Sequence, residues 1–423
     1  MTRKHPLATG GSTAECNHPP TVLAFWRRLV RQALAHSVPT PFYVFSPTPI
    51  QGALNELSVL ERAVPLPVRH WLSCKTQPVR PLLAWWRRQG RPIEVVSEFE
   101  LLAALHEGFD GPDILVNGPA KHRWLTRHGR RGWRVNFDSA NEIDALLPLA
   151  RSFDWSIGVR CLTGEEHDPE HPSLPTPFGL GPDEAVRALR QLAKARVRLE
   201  TIHFHLRSNV ESAGVYARAL GEVAAICRAA HFAPKYLDVG GGLPPPWVLD
   251  RSGRRVDARF DLARLARVYA QCLPAFPGLR ELWLENGRFV TARSGVLVTR
   301  ILDVKTRRGV RQFICDGGRT LHALVSLWEQ HGLLFLPERS GRRADTVVQG
   351  PTCMAFDQMT RRPLPASLRV GDHLLWLDAG AYHIPWETRF SHGRAAVLWH
   401  EKDRLRLVRA SESFDEWWGQ WRR

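Results

Sequence analysis

Four groups of residues in this chain are of types that could do covalent chemistry. The first is Lys75, which ends the short apolar run RHWLSCK at 69–75. A lysine closing a buried strand loses hydration, which lowers its pKa and leaves the amine nucleophilic. A Schiff-base lysine needs that property, although a lysine leaving a strand for solvent is the blander reading of the residue alone. The second group is DVGGG at 238–242, where Gly240, Gly241 and Gly242 follow a strand-like run. Backbone N–H groups of glycines can wrap an anion, and the pattern is not GxGxxG, so a dinucleotide is a poor expectation. The third is ENGR at 285–288, where Glu285 is a costly carboxylate on a buried strand and Arg288 could clamp the same anion. A plain Glu285–Arg288 ion pair is the structural alternative. The fourth is HFH at 203–205, whose two imidazoles, His203 and His205, share one face of a strand. They are either a metal pair or one ring stacked on a flat cofactor. A metal would need a third ligand, and none stands at a helpful spacing, so the stacked ring is preferred and no metal is expected. A lysine, a glycine cradle, an arginine, a carboxylate and a stacking histidine together fit pyridoxal 5'-phosphate.

Those residues must be held by elements of suitable order. Between about 40 and 290, short apolar runs alternate with amphipathic segments. Strand-like pieces fall at 42–45, 70–74, 93–96, 114–116, 134–138, 156–160, 201–205, 236–239 and 281–285. Helices fall at 98–106, 141–149, 182–193 and 212–230, and Ser97 before Glu98 and Glu100 reads as a helix N-cap. Repeated βα units predict a parallel sheet, and about eight predict a closed (β/α)8 barrel with its chemistry at the C-terminal strand ends. After 290 the pattern turns to strands near 296–304, 312–315, 346–348, 373–378, 395–399 and 405–408, joined by Gly, Pro and charged turns, with a helical tail at 414–421 whose three tryptophans are expected to pack on the core. The fold class is α/β plus β, a TIM-like barrel followed by a β-sandwich or barrel. The expected division is 1–40 as a leader and a segment joining the β-domain, 41–290 as the barrel, and 291–423 as the β-domain with its terminal helix. The first twenty residues lack an apolar h-region and read as a disordered or tag-like leader.

With 44% hydrophobic and 24% charged residues, the composition is that of a globular protein. No run of about 18 apolar residues suggests a membrane span. The seven cysteines are odd in number and form no CxxC pair, which argues against a disulfide scaffold or zinc site and for a reducing cytoplasm. The net charge of +16 is mostly arginine. No basic run carries interleaved aromatics and no nucleic-acid motif is present, so an arginine-rich composition or an anionic substrate explains the charge better than a nucleic-acid partner.

The chain resembles the fold-type III pyridoxal-phosphate decarboxylases, the ornithine, arginine and diaminopimelate decarboxylase family, over roughly residues 40 to 400. The motifs, in order, are PFYVF at 41–45, CK at 74–75, EVVSEFE at 94–100, VNG at 116–118, FG at 178–179, HFH at 203–205 with Ser208, DVGGG at 238–242, ENGR at 285–288, DGG at 316–318, GPTC at 350–353 with Asp357, and DAGAY at 378–382. Any one is weak, and eleven in register are strong. The resemblance implies a role for each matching residue. Lys75 would form the internal aldimine, His205 would stack on the pyridine ring and Glu285 would pair with the ring nitrogen. Ser208, Gly240, Gly241, Gly242, Arg288 and Tyr382 would hold the phosphate, and Glu94 and Arg160 would line the cofactor. Cys353 would protonate the carbanion left after carbon dioxide departs, acting in a homodimer across to the partner's Lys75. Outside the motif context, Cys353 would read as inert filler.

Three positions depart from the family pattern. Met354 follows Cys353 where an acidic residue usually meets the substrate's distal group. Arg207 stands where glycine is usual, and Pro177 replaces a lysine. The first two make the site less negative and more positive, so the expected substrate is an acidic or conjugated amino acid in a biosynthetic pathway, with Arg207, Asp316 and Met354 as substrate residues. Asp316 pulls the other way, since it could bind a distal amine. An amino-acid racemase on the related barrel and a non-catalytic regulatory homologue are the alternatives. The first would need a second acid/base facing Lys75, and the second would have lost cofactor residues that are present here.

Overall fold

Eight short strands carry the candidate chemistry: β1 (Val68–Ser73), β2 (Ile93–Val95), β3 (Ile114–Val116), β4 (Arg134–Phe137), β5 (Ser156–Arg160), β6 (Arg198–His203), β7 (Tyr236–Asp238) and β8 (Glu281–Asn286). In the computed structural model, which describes residues 17–167, 176–322 and 328–421, they close into a barrel. Every pairing is parallel, and β8 joins both β7 and β1 to complete the ring. Parallel neighbours require crossover connections, and the amphipathic segments supply them as helices. The helix Glu98–His106 starts where Ser97 accepts the backbone N–H of Glu100, and Ala140–Ser152 starts where Ser139 accepts that of Glu142. Pro182 opens the helix Pro182–Lys194, where its fixed φ and missing N–H do no harm.

Alternate residues of each strand point inward, and the inward set forms layers. Toward the N-terminal strand ends, Trp71, Leu115 and Trp283 pack together with Tyr236 against them. The Arg134 guanidinium lies 4.6 Å from the ring centroids of both Tyr236 and Trp283. Two residues further along the strands the lining becomes polar: Glu94, Asn117, Asn136, His203, Asp238 and Glu285, all buried. Gly158 belongs to this layer because a Cβ there would collide with the Asn136 side chain and with Thr201. The barrel is therefore plugged at one end and polar at the other, where its chemistry is expected.

The chain divides into two units. The barrel unit comprises the described residues of 51–244 and 259–290, and the second unit those up to 50, 245–258 and from 291 onward. The second unit is built on a nine-stranded sheet. Along its main path lie Gln358–Pro365, Arg343–Gln349, Val310–Cys315, Gly295–Arg307, Phe42–Phe45, Ala396–Glu401 and Arg404–Arg409, while His373–Trp376 pairs with Gly295–Arg307 and Leu333–Leu336 pairs with His373–Trp376. The helix Pro20–Ala35 buries Trp26, Leu29, Val30 and Ala33 in a cluster with Phe42, Val44, Val296, Val298 and Leu375.

This arrangement corrects three expectations. Phe42–Phe45, grouped with the barrel from its spacing, pairs with residues 295–298 on one side and 396–399 on the other. A four-residue run buried on both faces looks the same in either sheet. The expected boundaries at 41 and 291 shift accordingly, and residues 245–258 also join the sheet unit. The leader does not reach residue 20. His18 is buried and its Nε2 lies 2.8 Å from Asp378 Oδ2, while the call on residues 1–16 lies outside the described residues. The tail helix Phe414–Gly419 is present, capped by Ser413 and Glu416, but it buries no residue. Phe414 and Trp421 are each 69% exposed, and Phe414, Trp417 and Trp418 stack on one another rather than on the core. Among the described residues no helix is long and apolar enough to cross a membrane.

Candidate active site

Lys75 lies in a single 3-10 turn, Cys74–Thr76, directly after β1. Its side chain is 38% exposed, and its Nζ stands 3.6 Å from Glu94 Oε1, the charge partner that its neighbours in sequence do not supply. Glu94 is fully buried and receives hydrogen bonds from Ser73 Oγ at 2.6 Å and Asn117 Nδ2 at 3.3 Å. Burial raises its pKa, and the nearby Lys75 ammonium opposes the rise. Gly287 packs against the same turn: a Cβ there would meet Thr76 and Ser73, so the backbone leading to Arg288 runs close under Lys75 only because residue 287 is glycine. Arg288 opens the short helix Arg288–Thr291.

Glu285 sits at the centre of the polar layer. Asn117 donates a short hydrogen bond to its Oε1, from which His203 Nε2 lies 3.3 Å, and His205 Nδ1 lies 3.5 Å from its Oε2. Burial alone would raise its pKa, but the imidazoles of His203 and His205 outweigh that and hold it below the usual carboxylate range. Asp238 takes the opposite state. Burial, then the charge of Glu285, pushes its pKa well up, while Asn136 and the Gly240 N–H donate to its oxygens at 3.1 Å each. Two adjacent buried carboxyls are thus pushed in opposite directions, Glu285 toward its charged form and Asp238 toward its neutral one. Burial lowers both imidazoles, His203 to about 3. The Glu285–Arg288 pair considered from sequence is not what holds Glu285; imidazoles and an amide do.

The glycines after β7 line the next gap. Gly240 and Gly242 have φ of +64° and +94°. A Cβ on Gly240 would meet His205 Nδ1 at 2.6 Å, one on Gly241 the Glu285 carbonyl oxygen at 2.6 Å, and one on Gly242 the Arg207 carbonyl oxygen at 2.5 Å. Glycine is required at all three for the backbone to pass this close. The Gly241 N lies 3.2 Å from His205 Nδ1, the same ring atom that stands 3.5 Å from Glu285 Oε2. Ser208 is exposed on the loop after β6.

Arg160, at the end of β5, is held between Glu166 at 2.6 Å, Asp138 at 3.7 Å and the face of Phe178 at 4.8 Å. Burial raises the carboxyls of Asp138 and Glu166, the latter to about 7. Glu166, Asn117 and Asn136 were not singled out from sequence, nor was the wholly buried pair of Lys121 and Glu142. Asn117 was visible only as the middle of the VNG motif, with no role attached, and Asn136 had no signal beyond its place on a barrel strand. Asp238 and Glu285 also give His203 the company of further donor atoms that spacing alone did not reveal.

Two expected substrate residues are otherwise engaged. The Arg207 guanidinium binds both oxygens of Glu211 and the Glu165 carbonyl, so its charge is neutralised within its own loop. Asp316 lies in the sheet unit, where Thr40 Oγ1 donates to one oxygen at 2.5 Å and the Arg300 N–H to the other at 2.8 Å. The same unit carries Cys353, Met354 and Tyr382. Asp357 pins the Cys353 loop by accepting from Thr352 N and Oγ1 and from the Arg319 N–H, and Cys353 is left exposed at its tip. Tyr382 sits at φ +66° with its ring stacked on Trp386.

Residues 55–292 match the pyridoxal-binding domain of the pyridoxal-dependent decarboxylases. The chain belongs to this family. It is a pyridoxal-phosphate-dependent carboxy-lyase. It is 32% identical over 344 residues to a diaminopimelate decarboxylase of Actinosynnema pretiosum subsp. auranticum, covering 77% of this chain and 76% of that one. It is 30% identical over 392 residues to that of Deinococcus radiodurans, covering 92% and 97%. The fold is that of the Helicobacter pylori diaminopimelate decarboxylase crystallised with L-lysine, at a TM-score of 0.77 and 23% identity over 92% of this chain and 98% of that one. The strand-end residues of this decarboxylase fit its cofactor. A backbone stretch that only glycine permits, a lysine amine and a buried ionised carboxylate converge on one end of the barrel.

Proposed function

We propose that this decarboxylase removes the α-carboxylate of an amino acid as carbon dioxide, with Lys75 as the cofactor-bearing amine. The observation that carries the reading is the placing of Lys75, Glu94, His205, Glu285 and the glycine cradle at the C-terminal ends of five different barrel strands. When bound, the cofactor supplies an electron sink for the bond that breaks. Glu285 would hold a proton at the cofactor's ring nitrogen, and His205 would line the ring. The N–H groups of 240–242 would hold the phosphate together with Ser208, Arg288 and Tyr382, and Glu94 and Arg160 would line the remainder. Cys353 would supply a proton as a general acid. With this reading goes a cytoplasmic homodimer in which Cys353 serves Lys75 of the partner subunit.

For the substrate we propose an amino acid ending in a carboxylate or a conjugated group. Met354 cannot pair with an ammonium. Arg207, paired with Glu211, does not support this reading, which rests on Met354, while Asp316 keeps lone pairs beyond the two hydrogen bonds it accepts. Diaminopimelate, the substrate named for the relatives, carries a distal ammonium as well as a distal carboxylate, so its release counts with that of ornithine and lysine against the substrate assignment. Carbon dioxide release is measured across ornithine, lysine, diaminopimelate, carboxylate-ended and conjugated amino acids, with Lys75→Ala as control. Release from the carboxylate-ended and conjugated group alone supports the proposal. Release from ornithine, lysine or diaminopimelate at comparable kcat/KM overturns the substrate assignment, and undiminished release by Lys75→Ala overturns the mechanism.

A further inference from the structure

The sheet unit holds a second cluster of chemistry-bearing side chains that the decarboxylation does not use. His322 ends the short helix Arg319–His322, His331 follows the strand Glu329–Gln330, and His383 follows Tyr382. All three are buried, at 1%, 3% and 1% exposure, and each offers a ring nitrogen within 4.8 Å of the other two. Glu329 is buried beside them at 4%, with its Oε2 3.3 Å from His331 Nε2. Trp376 and Tyr43 wall the cluster, their ring centroids 4.9 Å from His322 and 6.4 Å from His383.

The hydrogen bonds at the outer edges of the rings decide what faces inward. His383 Nδ1 lies 3.0 Å from the Ala381 carbonyl oxygen, and His331 Nδ1 lies 2.8 Å from the Leu377 carbonyl oxygen. A carbonyl oxygen only accepts, so each Nδ1 carries the hydrogen and each Nε2 of the neutral ring presents a lone pair. His383 Nε2 turns that lone pair toward His322 Nδ1 at 2.9 Å. His331 Nε2 turns its own toward the Glu329 carboxylate. Two acceptors 3.3 Å apart in a buried site need a proton or a cation between them. Imidazoles that donate one N–H to a backbone carbonyl and offer the other nitrogen inward are arranged as metal ligands are, with the carbonyls as the supporting shell.

We propose that His322, His331 and His383, with Glu329 as fourth donor, form a structural site for a divalent first-row transition metal ion such as zinc. Three imidazoles and one carboxylate suit zinc and its neighbours rather than magnesium or calcium. Two nitrogens about 2.0–2.1 Å from a tetrahedral ion stand about 3.4 Å apart, so the 2.9 Å contact opens by about half an ångström and the wider ones close. The Arg319 and Arg362 charges near His322 oppose a cation, and the Glu329 carboxylate offsets them. Both supporting carbonyls belong to the turn 377–381 that leads into Tyr382. The ion would therefore tie that turn to the His322 helix and the Glu329 strand.

The test uses full-length, cofactor-loaded protein without a histidine tag. It is loaded with zinc, gel-filtered and analysed for bound metal, and its thermal midpoint is followed with zinc and with chelator. The expected result is about one zinc ion per chain, a higher midpoint with zinc that chelator reverses, and loss of both in His331→Gln and His383→Gln variants with unchanged circular dichroism. Cobalt(II) in place of zinc should give the visible bands of a four-coordinate site, a readout on the wild type that stands even if the variants fail to fold. A wild-type protein that retains no zinc and shows no midpoint shift overturns the proposal, as does a folded double variant that binds zinc as well as the wild type.

Discussion

Gly242→Ala tests the cradle most directly, because its cost follows from two separate features of the backbone. At φ +94° an alanine is strained by about 1–2 kcal/mol. Its Cβ would also stand 2.5 Å from the Arg207 carbonyl oxygen, where ordinary contact begins at 3.4 Å, so the loop after β6 or the cradle must move by about 0.9 Å (3.4 minus 2.5). Val210 Cγ2, at 3.0 Å, closes the other direction. Overpacking of this kind costs about 1–3 kcal/mol, which brings the total to about 2–5 kcal/mol. If the movement falls on the cradle, cofactor affinity drops roughly 30- to 5000-fold. Gly90→Ala is the control. Its φ of +66° carries the strain, but nothing lies within 4 Å of its Cβ, so it should cost about 1 kcal/mol of stability and leave cofactor affinity unchanged. Both variants are titrated with pyridoxal phosphate by visible absorbance and melted in parallel. A Gly242→Ala protein that binds the cofactor as tightly as wild type would refute the reasoning that these glycines are required by a phosphate cradle.

Three more outcomes are expected. Glu285→Gln removes the ionised carboxylate but keeps an acceptor for Asn117, so carbon dioxide release should fall by at least about 100-fold while the thermal midpoint moves little; equal losses in both would make Glu285 merely structural. Lys121→Ala leaves Glu142 buried without its ammonium and should cost about 3–5 kcal/mol in urea unfolding, and a loss below 1 kcal/mol would contradict the buried pair. Glu166 titrates near 7 in the fold against about 4.5 unfolded, so the folded state holds the extra proton between those values and its stability falls as pH rises through that window. Relative to Glu166→Gln, the wild type should gain at most about 3 kcal/mol on going from pH 7.5 to 4.5, and a difference that is flat with pH would show that Glu166 titrates normally.

Most of the barrel was legible in the sequence because its signals are local. The helix Glu98–His106 has the expected ends, since Ser97 caps it by a contact only three residues long. Lys75, the triple glycine and Glu285 stood out because a charge or a bare backbone on an apolar run is unusual wherever the chain goes. What failed had no local signature. Phe42–Phe45 is apolar on both faces and would suit the middle of either sheet. Arg207 looked like a free cation beside the site until folding brought Glu211 and the Glu165 carbonyl against it. Asp316 looked unpartnered until the structure set Thr40 and the Arg300 backbone on it.

By itself, then, the sequence determined the alternation that winds eight βα units into a barrel and the residue types that end its strands, because period and propensity act over a few residues. Only the tertiary structure decided which of those residues share a layer. Asn117, Asn136, His203, Asp238 and Glu285 come from five strands spread over 169 positions of sequence (117 to 285 inclusive). Closure of the ring sets them face to face out of water, where neighbouring charge and lost hydration, rather than residue identity, push the two carboxyls in opposite directions.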